Sequence, residues 1–345
     1  MRVVVLAGGI STERDVSIVS GTLVCKTLRE KGHQAILLDV FFGNEKIDKD
    51  NIFTEDYNVD ANIEYIKSFN DKMDSTIAGR LDFFGPNVID VCQLADIVFL
   101  ALHGEQGENG KVQAAFDLHG IKYTGSGYLS SALAMDKGLT KKLFVADGIP
   151  TPRGALLEKD NYSTNLADYQ IDLPVVVKPC CGGSSVGVTI VNDLEEFARA
   201  VEYAFTYEKE VVVEEYIEGR EFSVGVIDNE AYPVIEIAPV EGFYDYKNKY
   251  SAGASVETCP ADLTKEQSAE MQDYALRGVE TLYIDSYARL DFMMNDAGEM
   301  FCLEANTLPG MTPTSLLPQE AQARGIDYPS LCEKLIEVSL KKYNS

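Results

Sequence analysis

The sequence YARLDFMMNDAGEMFCLEAN, residues 287–306, has two mainly apolar runs on either side of a polar turn. The turn residues, 295–298, are of the types that favour a tight chain reversal. We therefore predict a hairpin whose strands cover 287–293 and 300–304. A hairpin joins antiparallel strands, as expected of an α+β region rather than a parallel sheet.

The two predicted strands each carry polar side chains on one face. Side chains alternate along a strand, so Arg289 and Asp291 share a face of the first strand, and Glu304 and Asn306 share a face of the second. If the turn centres on 296–297, the two polar faces coincide. Carboxylate and amide oxygens suit Mg²⁺, whose remaining ligands are commonly water and nucleotide phosphates. A solvated polar face without a metal is the alternative.

A glycine-rich stretch, residues 182–187, joins two further predicted strands at 174–178 and 188–191. Its backbone N–H groups can approach phosphate oxygens, and Lys178 supplies a cation at the end of the preceding strand. It is not a Walker loop, because the Gly-Lys-Ser/Thr ending is missing and the loop leads to a strand rather than to a helix. A flexible turn without a ligand is the alternative.

The amino-terminal part has the pattern of an open α/β domain. An apolar run over 3–7 is followed by a helix-spaced pattern, and apolar runs at 36–40 and 97–102 predict further strands of a parallel sheet. Residues 121–124 predict a further short strand. We place this domain at 1–125. Residues 41–86 are polar apart from one short predicted helix, and we interpret them as an insertion.

Two further units follow, as the length of 345 residues leads one to expect. The central unit, 126–215, has the order strand, glycine loop, strand, helix and strand, which is an α+β order. Its helix is predicted over about 193–205, with Asn192 as the capping residue and Glu195 completing a capping-box pattern. The C-terminal unit, 216–345, carries several strands, a long helix predicted over 263–282, the hairpin, and a last helix predicted over 331–343.

Two polar residues stand at turns of the first domain. Glu13 follows the Gly8-Gly9 turn near a predicted helix start, where its charge suits the helix dipole, so helix capping is the alternative to a substrate role. His103 comes just past a predicted strand, at the edge where open α/β sheets bind ligands, although a lone histidine is commonly structural. The turn lacks the Gly-x-Gly-x-x-Gly pattern of dinucleotide sites.

Acidic side chains outnumber basic ones by 55 to 30, which gives a formal net charge of −25. Such a surface repels nucleic-acid phosphates and anionic lipids, so we expect neither as a partner. The apolar run at the amino terminus is too short for a signal peptide, and no stretch approaches the ~18 apolar residues of a membrane helix. The seven cysteines lack paired Cys-x-x-Cys spacing, so we predict a reduced, cytoplasmic protein without structural zinc.

Together these segments resemble the D-alanine:D-alanine ligase family, over nearly the whole chain outside 41–86. The matching motifs are AGG and the residues that follow to Ser20 (7–20), LHGEQGENG (102–110), YTGSG (123–127), MDK (135–137), GSSVG (183–187), FYDYKNKY (243–250) and LEANTLPGMT (303–312). So many matches in one order are specific. The architecture they imply is an ATP-grasp fold preceded by an open α/β N-terminal domain.

The resemblance implies that ATP lies between the central and C-terminal domains. Lys137 and Lys178 match the family's phosphate-binding lysines, and Glu214 and Glu221 match the residues that hold the adenine and ribose. The further nucleotide contacts it implies are Ser185, Tyr216, Ile217, Phe292 and Asn306. The magnesium ligands it implies, with Mn²⁺ as a substitute metal, are Asp291, Glu304 and Asn306, in agreement with the hairpin pattern.

The resemblance also implies a two-step reaction. One D-alanine carboxylate attacks the γ-phosphate of ATP to form an acylphosphate, and the amine of a second D-alanine then displaces phosphate. Lys249 matches the lysine that neutralises the transferred phosphoryl group, while Arg289 and the Gly310 N–H match the oxyanion site. The implied contacts of the first substrate are Glu13, Val16 and His103, and those of the second are Gly310, Ser315 and Leu316.

In this family a hydrogen-bonded chain of Glu, Ser and Tyr crosses the active site, and Glu13, Ser184 and Tyr250 match its members. The related D-lactate ligases replace the tyrosine-bearing loop with one that carries a histidine, so Tyr250 favours D-alanine as the second substrate. A D-serine or D-lactate ligase of the same fold is the nearest alternative. The alternative from another class is a nucleotide-binding regulatory protein without turnover, against which the complete set of lysines and acidic ligands argues.

The chain departs from the family pattern at Cys180, Cys181 and Gly182, where family members often carry larger polar or charged residues. This chain therefore lacks those larger side chains beside the glycine loop. The resemblance finally implies a homodimer that acts in the cytoplasm in peptidoglycan synthesis.

Overall fold

The computed structural model describes residues 1–70, 73–183, 185–239 and 255–344. The strands, β1 to β13 in chain order, are Arg2–Ala7, Gln34–Asp39, Ile97–Leu100, Gly154–Glu158, Val175–Pro179, Thr189–Val191, Glu210–Glu215, Arg220–Ile227, Glu230–Ala231, Ile235–Pro239, Ser255–Thr258, Tyr287–Met294 and Met300–Asn306. The α-helices, α1 to α12, are Arg14–Glu30, Val59–Lys67, Met73–Gly79, Val88–Leu94, Glu105–Glu108, Lys111–Leu118, Tyr128–Met135, Lys137–Ala146, Leu194–Ala204, Lys265–Thr281, Leu316–Ala323 and Tyr328–Lys341. Short 3-10 helices cover Lys49–Asn51 and Leu166–Tyr169.

The first domain is built on a parallel sheet in the order β2-β1-β3. Its central strand is apolar after Arg2 because both faces are covered: Val3 and Val5 enter one hydrophobic cluster, and Val4 and Leu6 enter the other. The predicted open α/β pattern is therefore confirmed. The predicted strand near 121–124 is reduced to a single parallel bridge, in which Tyr123 pairs with Val98.

Residues 41–86 contribute to the first domain's core. They contain α2, α3 and a 3-10 helix, so the prediction of one short helix was incomplete. Phe41 and Phe42 lie in one hydrophobic cluster, and Val59 and Ile66 lie in the cluster on the opposite face of the sheet. A segment that is polar on average therefore still has enough apolar side chains to cover both faces.

The central unit has an antiparallel sheet in the order β4-β7-β5-β6. Helix α9 covers it and buries Phe197 and Val201 against the strands. This helix is capped by Asp193, whose side chain accepts from the Glu195 N–H at 3.0 Å, so the prediction of Asn192 as the cap was wrong by one residue. Both residue types cap helices well, and the backbone geometry selects between them.

The C-terminal unit has a second antiparallel sheet in the order β11-β10-β8-β12-β13, with β9 paired to β8. Helix α10 lies on it and begins at a capping box formed by Thr264 and Gln267. The predicted hairpin is confirmed as β12 and β13.

Packing crosses the predicted domain boundaries at two places. Helices α7 and α8 bury Ala134 and Phe144 in the cluster beneath the C-terminal sheet, and the last helix, α12, buries Leu331 and Leu335 against the first domain's sheet. The divisions at 125 and 215 therefore stay predictions. No helix in the described parts of the chain combines the length and apolar character needed to cross a bilayer.

Candidate active site

A cavity of about 440 Å³ lies between the central and C-terminal sheets. This volume falls within the roughly 300–1,000 Å³ range of small-molecule sites. Its walls combine apolar side chains with lysine, arginine and carboxylate groups. The lining residues include Lys137, Val176, Lys178, Gly182, Gly183, Ser185, Val186, Ile190, Glu214, Glu215, Tyr216, Ile217, Glu221, Ile237, Asp291, Met293, Leu303 and Glu304.

The hairpin presents its two carboxylates to this cavity because of a β-bulge. Met294 pairs with Met300, which centres the turn on Ala297, close to the predicted centre. That register alone would set Asp291 opposite Leu303. A register shift between Asp291 and Phe292 sets Asp291 opposite Glu304 instead, so the predicted coincidence of the polar faces depends on the bulge.

Asp291 is 5% exposed and is held by four donors. The Arg289 guanidinium donates to both carboxylate oxygens at 2.9 Å, Ser223 Oγ donates at 2.8 Å, and Asn306 Nδ2 donates at 3.0 Å. Arg289 and Asn306 are also paired across the two strands. The orientation of the Asp291 side chain is therefore set before any ligand arrives.

Glu304 connects the hairpin to the central unit. Its Oε2 lies 3.1 Å from Lys137 Nζ, and this ammonium also donates to the Gly182 carbonyl at 2.6 Å. Burial disfavours the charged lysine, but Glu304 outweighs that effect and raises the pKa of Lys137. Lys137 begins helix α8, which is capped by Asp136 through the Leu139 N–H at 2.8 Å. A short helix thus brings the cation to the base of the glycine loop.

Glu214 is 3% exposed and lies between two lysines. One oxygen contacts Lys178 Nζ, and the other lies 2.6 Å from Lys141 Nζ. Burial opposes ionisation of Glu214, yet the charges of Lys178 and Lys141 outweigh burial and hold its pKa below the ordinary value. Lys141 was not predicted as part of this group; its position four residues after Lys137 on one helix face is the signal that could have found it.

The predicted nucleotide contacts do not all reach the cavity. Ser185, Tyr216, Ile217 and Glu221 line it, together with Lys137, Lys178 and Glu214. Phe292 does not: it is fully buried in the hydrophobic cluster on the other side of the sheet. Its neighbours Asp291 and Met293 face the cavity, and strand alternation turns Phe292 away.

The glycine loop touches the first domain. A Cβ placed on Gly183 would lie 3.3 Å from Glu13 Oε2, and one placed on Gly104 would lie at the same distance from that atom. Glu13 is buried, and its side chain makes no capping bond to α1 although it is the capping residue. Its carboxylate is therefore directed to the space between the two loops, which argues against the capping alternative.

His103 and Val16 lie near Glu13. His103 is buried, its Nε2 lies 3.4 Å from Ser20 Oγ, and burial lowers the pKa of the imidazole, against the opposing effect of the Glu13 charge. Val16 is half-buried in the first turn of α1.

The predicted second-substrate residues also meet. A Cβ on Gly310 would lie 2.9 Å from Ser315 Oγ, so these two residues are in close approach. Ser315 precedes α11, and Leu316 is buried against Ile235 and Ile237. Three predicted residues, Ser184, Lys249 and Tyr250, lie outside the described residues.

Glu108 was missed by sequence reasoning although it lies in the 102–110 motif. Its Oε2 accepts from the Gly104 N–H at 2.8 Å. Burial is the main cause that raises the pKa of the Glu108 carboxyl to about 8, and the charge of Glu13 is the second. Because the unfolded chain ionises Glu108 at its ordinary pKa, folded stability falls as pH rises from that value to about 8.

Replacing Glu108→Gln should remove this loss, since the amide keeps the acceptor for Gly104 but cannot ionise. We expect the unfolding free energy of the variant, minus that of the wild type, to be larger at pH 8 than at pH 5. Urea unfolding of both proteins at the two pH values measures it. A difference in unfolding free energy that is independent of pH would contradict the raised pKa.

Comparisons with known proteins match both halves of the chain. The sequence profile described as D-ala D-ala ligase N-terminus matches residues 2–126, and that of the D-ala D-ala ligase C-terminus matches 143–337. The D-alanine–D-alanine ligase of Pediococcus pentosaceus is 43% identical, over 100% of this chain and 99% of that protein.

Two solved structures are similar over almost their full length. The D-alanine–D-alanine ligase of Bacillus anthracis in complex with ATP has a TM-score of 0.75 and 31% identity, with 100% of each chain covered. The VanG D-Ala:D-Ser ligase of Enterococcus faecalis has a TM-score of 0.78 and 28% identity, with 98% of this chain and 99% of that chain covered.

Two antiparallel sheets that enclose a cavity with lysines and carboxylates, behind an open α/β domain, define an ATP-grasp enzyme of the ligase class. The predicted fold class and enzyme class are thus confirmed. The chain belongs to the D-alanine–D-alanine ligase family.

Proposed function

We propose that this protein joins two molecules of D-alanine into D-alanyl-D-alanine, with conversion of ATP to ADP and phosphate. The observation that carries the proposal is the meeting of Asp291 and Glu304 across the hairpin, in a cavity that also contains Lys137 and Lys178. This arrangement supplies both acidic and cationic groups for binding a nucleoside triphosphate. The full-length similarity to D-alanine–D-alanine ligases specifies the reaction.

ATP binds in the cavity between the two sheets. Its base lies by 214–217, where β7 ends and Tyr216 and Ile217 give an apolar surface. Its phosphates extend towards Lys137 and Lys178 and under the glycine loop, whose N–H groups and Ser185 hydroxyl are suitable donors. Binding separates Lys137 from Glu304 and Lys178 from Glu214 in part, since each ammonium then shares its charge with phosphate.

The donor set of the hairpin fits Mg²⁺, with Mn²⁺ as a substitute. Asp291 and Glu304 are opposed carboxylates facing the cavity, and Asn306 lies beside Asp291. These three side chains would hold the ion through their oxygen atoms, and water and phosphate would complete its coordination. When bound, the metal ion neutralises charge on the transferred phosphoryl group.

The first D-alanine lies at the junction of the glycine loop and the first domain, beside Glu13, Val16 and His103. Its carboxylate oxygen attacks the γ-phosphorus, the bond to the β-phosphate oxygen breaks, and ADP leaves. Arg289 and the Gly310 N–H are the proposed groups that stabilise negative charge on the acyl oxygen. Lys249 is the proposed cation on the transferred phosphoryl group.

The second D-alanine binds with its carboxylate at Gly310, Ser315 and Leu316. Its amine attacks the acyl carbon, phosphate leaves, and the amine proton passes to solvent or phosphate. The proposed chain of Glu13, Ser184 and Tyr250 positions this acceptor. The close approach of Gly183 to Glu13 supports it, because Ser184 is the next residue along the chain.

A product assay tests the function. With Mg²⁺ and ATP, we expect ADP release with D-alanine and no turnover with L-alanine, because the acceptor motif residues match those of the D-alanine–D-alanine ligase family. Supplying D-alanine together with D-lactate or D-serine, at pH 6 and pH 8, should give the D-alanine dipeptide as the main product. Equal turnover with L-alanine, or ester or D-serine product comparable to dipeptide at either pH, would reject the assignment.

We expect the glycine loop to become protected when substrates bind. Glycines leave the loop free to move, and its closure over the phosphates excludes water from the acylphosphate. Hydrogen exchange of 181–188 should slow on addition of ATP and a D-alanine analogue, whereas exchange in helix α4 of the first domain should not change. Equal exchange in the loop with and without ligands would count against a lid.

We also propose a homodimer located in the cytoplasm, where it supplies peptidoglycan synthesis. Family resemblance supports both statements. Light scattering of the purified protein should give twice the mass of one chain, and a single-chain mass at all concentrations would contradict the dimer.

A further inference from the structure

Two adjacent cysteines and an aspartate meet beside the glycine loop. Cys180 and Cys181 follow β5 and precede Gly182, and Asp136 precedes α8. Cys180 Sγ lies 3.0 Å from Asp136 Oδ1, and the potential ligand atoms of all three residues lie within 4.8 Å of one another. Cys180 is buried, while Cys181 and Asp136 are half-buried.

Backbone contacts hold this cluster in place. The Cys180 carbonyl accepts from the Lys137 N–H at 3.0 Å, and its Sγ accepts from the Gly138 N–H at 3.4 Å. The Cys181 N–H donates to Glu208 Oε2 at 2.8 Å. Three separate segments of the chain are therefore tied together, so the thiols do not depend on a ligand to be brought close.

We propose that Cys180, Cys181 and Asp136 form a second metal site, for a thiophilic divalent cation of the Zn²⁺ or Cd²⁺ type. Two thiolates and one carboxylate are three ligands of a tetrahedral site, and water or Glu208 supplies the fourth. Mg²⁺ does not compete, because it prefers oxygen ligands. Each thiol gives up its proton to solvent on binding.

The charges around the cluster permit a cation. Lys137 is the neighbouring positive group, and its ammonium is already engaged by Glu304 and the Gly182 carbonyl. Asp136 and Glu208 add two carboxylates, and two thiolates form on binding. The ligand set is thus negative overall once the thiols have lost their protons.

Occupation of the site restrains the nucleotide-binding machinery. Gly182 directly follows Cys181, and Lys137 directly follows Asp136, so a metal bridges the base of the glycine loop to the start of α8. A bridge of this kind holds the loop and Lys137 in the arrangement without nucleotide. We therefore infer that the thiophilic metal inhibits the enzyme, a consequence that rests on the proposed function.

Titration with Cd²⁺ tests the site itself, through the ultraviolet thiolate-to-metal charge-transfer absorption. The wild type should show a band that saturates at one equivalent, and Cys181→Ser should lose it. Cys259→Ser, which removes a half-buried thiol elsewhere, is the matched control and should keep it. Asp136→Asn keeps a helix-capping side chain and should bind more weakly with a similar band.

The absence of a saturable band in the wild type, or an unchanged band in Cys181→Ser, would overturn the site. Carboxylate binding of Cd²⁺ at Asp291 and Glu304 produces no thiolate band and cannot imitate the result. Should Cys181→Ser fail to fold by circular dichroism, an affinity in Asp136→Asn equal to that of the wild type would overturn it in the same way.

Inhibition is measured separately, as ATP turnover at constant Mg²⁺ with increasing Zn²⁺. The rate of each variant is divided by its own rate without Zn²⁺. We expect inhibition of the wild type that a chelator reverses, and a shift to higher Zn²⁺ in Cys181→Ser. Identical inhibition of both would overturn the coupling to the loop. Absence of metal-free turnover would be a failure of the proposed function, and the Cd²⁺ titration would still decide the site.

Discussion

Replacing Asp291→Asn or Glu304→Gln is expected to lower kcat by orders of magnitude, because each change removes a carboxylate that acts on charge at the phosphoryl group. The opposed positions of the two carboxylates in the cavity wall are the reason for expecting similar losses from either. Steady-state ADP release across a range of Mg²⁺ concentrations measures the effect. Asp296→Asn, at the exposed tip of the same hairpin, is the matched control and should leave kcat unchanged.

The two variants should differ in stability. Asp291 accepts from Arg289, Ser223 and Asn306 in a nearly buried position, so its neutral replacement also weakens the fold, whereas Glu304 contacts Lys137 at the cavity wall. Thermal unfolding distinguishes a lost ligand from a lost fold. Near-normal turnover of either variant at low Mg²⁺ would remove that residue from the metal site.

Replacing Glu214→Ala is expected to cause the largest loss of stability of any single change at the site. It leaves the ammonium groups of Lys178 and Lys141 buried without their shared carboxylate. Removing one partner from a buried ion pair typically costs about 3–5 kcal/mol. Urea unfolding without nucleotide measures the loss, and ATP should restore part of it because phosphate replaces the missing charge beside Lys178.

Glu215→Ala is the matched control for this change. The Glu215 carboxylate lies 3.2 Å from Arg153 Nε. The Arg153 side chain is 69% exposed, so this ion pair contributes at most about 1 kcal/mol to the unfolding free energy. A loss of stability in Glu214→Ala no larger than in Glu215→Ala would contradict the buried lysine arrangement.

Glu214 also predicts how the stability of the fold depends on pH. The folded pKa of Glu214 lies below its ordinary value, so its stabilising contribution is complete above that value and is lost as pH falls through the lower, folded value. The unfolding free energy of Glu214→Gln should therefore fall less steeply with decreasing pH, in the acid range, than that of the wild type. An identical acid profile would show that Glu214 is not ionised in the folded state.

Local sequence patterns predicted the elements of the site well. The hairpin, the glycine loop between two strands and the parallel first sheet all follow from short-range alternation and turn chemistry, and all are present. One error occurred where two neighbouring residues can each cap a helix: the cap is Asp193 rather than Asn192. The bulge in the hairpin was not predicted. A bulge cannot be inferred from alternation, since the pattern assumes that every residue pairs.

The amino-acid sequence alone identified Asp291, Glu304 and Lys137 as candidate site residues, because residue identity and the period of a strand do not depend on distant contacts. Tertiary structure decided which groups meet. Lys141 joins Glu214, and Cys180 joins Asp136, across 73 and 44 positions of the chain. Phe292, which was predicted to contact the nucleotide, lies in the hydrophobic cluster beneath the sheet. The physical reason is that long-range partners and burial are set by how sheets and helices pack, whereas strand period and turn type are set by neighbouring residues.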